Sequence, residues 1–138
     1  MTPPRRGWEA RAIVSAAREI AETTDIVAIC CFSHSGATAL KVARERPRVP
    51  IIALTPFVEA ARRMTLSWGT HCVVTQSVDR FKHAVVSAVR AAKASGFATV
   101  EQSVVVTAGV PFNVSGSTNI LRVAPCEERL IFGADGGE

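Results

Sequence analysis

Two short hydroxyl-rich segments hold the residues best suited to chemistry. Ser33-His34-Ser35-Gly36-Ala37-Thr38 follows the apolar run at 26–32, and Asn113-Val114-Ser115-Gly116-Ser117-Thr118-Asn119 stands between Val104-Val105-Val106 and Ile120-Leu121-Arg122-Val123. A strand that ends in Ser-Gly-Ala-Thr and opens a helix offers hydroxyl donors, backbone N–H groups and the positive end of a helix dipole. That set suits a phosphate, with Ser33, Ser35 and Thr38 supplying hydroxyls and Gly36 and Ala37 supplying N–H groups. The same residues also suit an ordinary strand-to-helix turn with a serine N-cap. Placement tilts the balance toward the phosphate, because open α/β sheets bind ligands beyond the carboxyl ends of their strands. Two such loops would close on one ligand if the fold brings them together.

The remaining reactive residues do not assemble into a catalytic set. GxxxxGK[ST] is missing, and no GxGxxG follows a strand. His34, His71 and His83 lack metal-ligand spacing, and the carboxylates do not cluster. His34 has the best position, where its imidazole meets either a phosphate or solvent; His83 reads as a surface or packing residue of a helix. Asp25 and Asp79 fit turn and cap roles, and Trp68 fits a plug at a helix end. No catalytic residue, metal or cofactor is expected. Cys30, Cys31, Cys72 and Cys126 lack CxxC spacing. The adjacent pair, inside a strand, should point to opposite faces and act as small hydrophobes.

The elements that must position these loops follow from periodicity. Trp8, Ala12, Ile13, Ala16, Ala17 and Ile20 recur at helical spacing. A strand at 26–32 and a helix from Gly36 to about Arg46 follow, with Leu40 and Ala43 facing inward and Pro47 stopping it. After a strand at 50–54, Thr55-Pro56 reads as an N-cap and first helical residue, opening a helix to about Ser67. A strand at 72–74 precedes a long helix capped by Ser77 or Asp79, with Phe81, Val85, Ala88, Val89 and Ala92 on one face. Gly96 ends that helix, and strands follow at 103–107 and 119–124. Apolar strands alternating with helices predict a parallel sheet covered on both faces. The last connection is too short for a helical crossover, so the fifth strand should run antiparallel. The fold class is α/β: a three-layer α/β/α sandwich on a five-stranded mixed sheet.

Composition bounds the partners. The chain has 138 residues, 48% hydrophobic, with a formal net charge of +4 carried by scattered arginines. This is ample for one domain. No basic stripe with interleaved aromatics points to nucleic acid, and no stretch approaches a membrane span. The protein is expected to be cytoplasmic, with a disordered lead at 1–7, the domain at 8–124 and a polar tail at 125–138.

Four motifs in register make the chain resemble the C-terminal domain of pyruvate kinase. They are Ser35-Gly36; Val42-Ala43-Arg44-Glu45-Arg46-Pro47-Arg48-Val49-Pro50-Ile51-Ile52-Ala53-Leu54-Thr55; Leu66-Ser67-Trp68-Gly69; and Val106-Thr107-Ala108-Gly109-Val110-Pro111-Phe112 followed by Ser115-Gly116-Ser117-Thr118-Asn119. The resemblance implies a five-stranded α/β/α unit that regulates rather than catalyses. It implies that Ser33, His34, Ser35, Gly36, Ala37 and Thr38 cradle an effector phosphate. The loop with Gly109, Asn113, Ser115, Gly116, Ser117 and Thr118 would close over it. The effector would be a sugar phosphate, a sugar bisphosphate or a nucleotide monophosphate. Ala37 stands where many members carry a larger, often polar or basic residue. The family's catalytic residues lie in a (β/α)8 barrel that these residues do not contain. The chain alone is therefore not expected to transfer a phosphoryl group; it would be a fragment, a split gene product or a free-standing relative, with a barrel domain or subunit as a possible partner. The resemblance further implies a homo-oligomer formed through the helices and the final strand. The alternative is an assembly domain that binds nothing. A weaker alternative is a small enzyme acting on a phosphorylated substrate through the first loop.

Overall fold

A computed structural model of the chain describes residues 8–67, 69–78, 80–109 and 118–132. Along it run α1 (Trp8–Thr23), β1 (Ile29–Phe32), α2 (Ala37–Arg44), β2 (Ile51–Thr55), α3 (Val58–Met64), β3 (Thr70–Val74), α4 (Phe81–Ala94), β4 (Ser103–Ala108), β5 (Ile120–Pro125) and α5 (Glu128–Phe132). The five strands form one sheet in the order β3-β2-β1-β4-β5. β1 pairs parallel with both β2 and β4, β2 pairs parallel with β3, and only β4 with β5 is antiparallel. The predicted mixed sheet is what forms, with its direction reversed at the last strand.

Strand pleating divides the core into two layers. Ile29, Cys31, Ile51, Ala53 and Val105 face Val14, Ala17, Ala39, Val42, Ala60 and Met64 of α1, α2 and α3. Cys30, Phe32, Ile52, Leu54, Val104 and Val106 face Val85, Ala88, Val89 and Ala92 of α4 and Ile131 of α5. The adjacent cysteines thus lie on opposite faces, as period-two alternation requires. Both are fully buried free thiols. Burial drives the Cys30 thiol well above its usual range and pushes Cys31 up to about 11.

Several local expectations give way to tertiary structure. Thr55 does not cap α3: it is the last residue of β2, fully buried, and the helix starts only at Val58 behind Phe57. In α2 the buried residues are Thr38, Ala39, Val42 and Ala43, while Leu40 is only half-buried. The α2 helix ends through Arg46 at φ 48, just before Pro47. α4 has no side-chain cap from Ser77, since its cap residue is Arg80. At its other end Gly96, at φ 80, closes the helix with bonds from Gly96 N to Lys93 O (3.1 Å) and Phe97 N to Ala92 O (3.0 Å), the Schellman arrangement. The region expected as a polar tail forms α5 and buries Cys126 and Ile131 in the core. Trp68, Asp79, the lead at 1–7 and the end at 133–138 lie outside the described residues.

Candidate functional site

The strand order reverses between β1 and β4, since the chain leaves β1 toward β2 and returns on its other side. This is the switch point at which open sheets leave a crevice beyond their carboxyl ends. The loop after β1 and the segment after β4 both start there.

The first loop is built by its own serines. Ser33 N donates to Leu54 O at 3.0 Å, carrying the sheet pairing one step past β1. Ser33 Oγ then accepts the Gly36 N–H at 2.8 Å, and Ser35 Oγ accepts the Ala37 N–H at 3.3 Å. Gly36 takes the cap position of α2 in a left-handed conformation, φ 87, which a residue with a Cβ adopts only under strain. Space makes the same demand, because a Cβ there would lie 2.6 Å from Met64 Sδ. The N–H groups expected to face a phosphate are therefore held by serine oxygens, and an anion would have to exchange with them. Each serine hydroxyl keeps its own proton to donate.

Neighbouring elements hold this loop in place. Thr55 Oγ1 donates to His34 O at 3.3 Å and accepts the Phe57 N–H at 3.2 Å, spending its hydroxyl on the loop junction. The His34 ring meets Phe57 edge to face, centroids 5.4 Å apart. Arg63, from the last turn of α3, places Nη2 3.4 Å from Ser35 O. No sequence pattern marks Thr55, Phe57, Met64 or Arg63 as part of this loop, because their contacts with it are tertiary.

The two loops meet. Thr38, in the first turn of α2, shares a hydroxyl–hydroxyl hydrogen bond with Thr118, and both residues are 4% exposed. Asn119 N, the next backbone donor, bonds Ala108 O at 3.0 Å and starts the β4–β5 ladder. Ser33, His34, Ser35, Ala37 and Gly109 are half-buried around this junction. Asn113, Ser115, Gly116 and Ser117 lie outside the described residues.

A second concavity lies on the α4 side, lined by Leu54, Val73, Val78 and Val86 with Thr75, His83 and Arg90. The Arg90 guanidinium is engaged there by the Glu128 carboxylate through two bonds of 2.9 and 2.8 Å. That pairing holds the Glu128 carboxyl below its usual range. Among the described residues no cluster of His, Cys, Asp or Glu could hold a metal ion. No helix among them is long and apolar enough to cross a membrane.

Comparison with known proteins agrees with this architecture. Residues 11–124 match the family described as "Pyruvate kinase, alpha/beta domain". A pyruvate kinase of Methylorubrum extorquens is 41% identical over 113 residues, 82% of this chain and 24% of the relative. One from Agrobacterium vitis is 38% identical over 122 residues, 88% of this chain and 24% of the relative. Another, from Clostridium acetobutylicum, is 38% identical over 100 residues, 72% of this chain and 21% of the relative. The chain thus spans about a quarter of the length of the first two relatives. With the sheet order, the reversed fifth strand and the family match in agreement, the chain belongs to the pyruvate kinase α/β-domain family.

Proposed function

We propose that this domain is a regulatory unit that binds a phosphorylated metabolite between loop 33–38 and the segment 110–119. The ligand is a sugar phosphate, a sugar bisphosphate or a nucleotide monophosphate. The domain works with a catalytic barrel, as one chain or as a partner subunit, in phosphoryl transfer from phosphoenolpyruvate to ADP. Copies associate through the helices and β5, which lies at one edge of the sheet and so offers backbone groups for pairing.

The observation that carries this reading is the buried Thr38–Thr118 hydroxyl pair, which draws together two loops far apart in sequence at the switch point. The Ser33 and Ser35 hydroxyls beside the N-terminus of α2 are the kind of arrangement that holds a phosphate without a metal. A non-binding assembly domain is favoured instead by one fact: the Gly36 and Ala37 N–H groups are already satisfied by Ser33 and Ser35.

Calorimetric titration with fructose 1,6-bisphosphate, ribose 5-phosphate and AMP separates the two. The effector reading expects saturable binding of at least one of them, weakened by Ser35→Asp. That side chain keeps an oxygen for the Ala37 N–H but sets a negative charge against the phosphate. A folded protein that stays silent at millimolar ligand, yet sediments as a stable oligomer, establishes the assembly reading.

A further inference from the structure

The two loops are rich in donors and poor in charge. Residues 33–38 and 109–119 contain no lysine, arginine, aspartate or glutamate. A phosphate monoester near neutral pH carries a charge of about −1.5 to −2. Besides the His34 imidazole the loop offers only neutral hydroxyls and one helix end, so a permanent cation must come from elsewhere in the fold.

We propose that Arg63 is that cation and sets the selectivity of the site for phosphorylated over unphosphorylated ligands. Its Nη2 already bonds Ser35 O at 3.4 Å, which brings the guanidinium to the rim of the loop. A guanidinium has five donors in a planar fork, so one N–H can stay on a carbonyl while others take phosphate oxygens. The backbone that carries it is fixed: the next residue, Met64, is fully buried and packs against Gly36. The arginine itself is held by no carboxylate among the described residues. Its neighbour Arg62 is different, since Nη1 pairs with Glu59 Oε1 at 3.3 Å. One α3 arginine is spent within its own helix, and the other reaches the loop.

This inference rests on the proposed effector site and specifies how its charge is met. The test uses the 138-residue chain, with ribose 5-phosphate and ribose as probes, in Arg63→Gln, Arg63→Lys and Arg62→Gln. Removing one charge-assisted bond to a phosphate weakens affinity about ten- to a hundredfold. Arg63→Gln should lose that much for ribose 5-phosphate and show a shallower salt dependence. Arg63→Lys, which keeps the charge and loses the fork, should fall between, and Arg62→Gln should match the parent protein. The substituted side chains are on the surface, and thermal melts confirm that each variant is folded. If the parent binds ribose 5-phosphate and Arg63→Gln binds it equally well, the role of Arg63 is overturned while the effector site stands. If the folded parent binds neither ribose 5-phosphate nor any of the other phosphorylated probes, both fall together. Equal affinity of the parent for ribose and ribose 5-phosphate also overturns the assignment, because the phosphate would then make no contact worth a cation.

Discussion

Replacing Gly36 with alanine tests the loop at its tightest point. The left-handed conformation at φ 87 costs an L-residue about 1–2 kcal/mol. The new Cβ would also lie 2.6 Å from Met64 Sδ and 2.7 Å from Met64 Cγ. Met64 is fully buried, so it must shift within a packed core, at about 1–3 kcal/mol. Lower freedom of the unfolded chain returns about 0.5 kcal/mol. The net loss is about 2–4 kcal/mol, a large share of the roughly 5–15 kcal/mol typical of a domain. Gly96→Ala supplies an internal standard. It sits at φ 80 with open space around the same position, so only the conformational part applies, about 1 kcal/mol after the offset. Urea denaturation of both variants measures the difference, with an unchanged m-value as the check that only stability moved. Gly36→Ala falling no further than Gly96→Ala would refute the close approach of α3 to the loop, and with it the placement of Arg63.

Thr38→Val leaves the buried Thr118 hydroxyl without its partner and should lower stability by about 1–3 kcal/mol. Adding Thr118→Val should recover much of that loss; additive losses from the two substitutions would mean that the hydroxyls do not pair. The thiols give a pH dependence with a definite sign. Burial raises the Cys31 thiol to about 11, so the folded state keeps a proton that the unfolded chain releases from about pH 8.5. Its contribution is complete below that pH and declines as pH rises toward 11. Cys31→Ala should therefore flatten the alkaline fall in stability measured by denaturation between pH 8.5 and 11. An identical slope in both proteins would show that this thiol does not titrate on unfolding.

What sequence revealed, and what it did not, divides along the reach of each interaction. The β1 strand, the alternating cysteines and the Gly96 helix end were legible because period-two patterning and left-handed caps are local properties. The antiparallel β5 followed from the length of one connection. Thr55-Pro56 misled because the hydroxyl that would cap α3 goes to Phe57 N and His34 O, a choice made by the sheet and not by the dipeptide. The helix α5 escaped notice because five residues hold too little periodicity, and its place is set by Ile131 entering the core. Ser33, Ser35, Gly36 and Thr38 stood out as a loop by composition. Their real bonding did not: the serines satisfy the loop's own N–H groups, and Thr38 turns to a partner 80 residues away. Arg63 was indistinguishable from Arg62 in the sequence, and only the fold separates them.

In the proposed function the two loops form one phosphate site at the switch point between β1 and β4. Amide chemical-shift mapping during a titration with ribose 5-phosphate, fructose 1,6-bisphosphate or AMP tests it most directly. Saturable shifts are expected at Ser33, Ser35, Gly36 and Ala37 together with Thr118 and Asn119, all following one binding curve. Shifts confined to the α4 groove around Val73, Val78 and Val86, or none at saturating ligand, would contradict it.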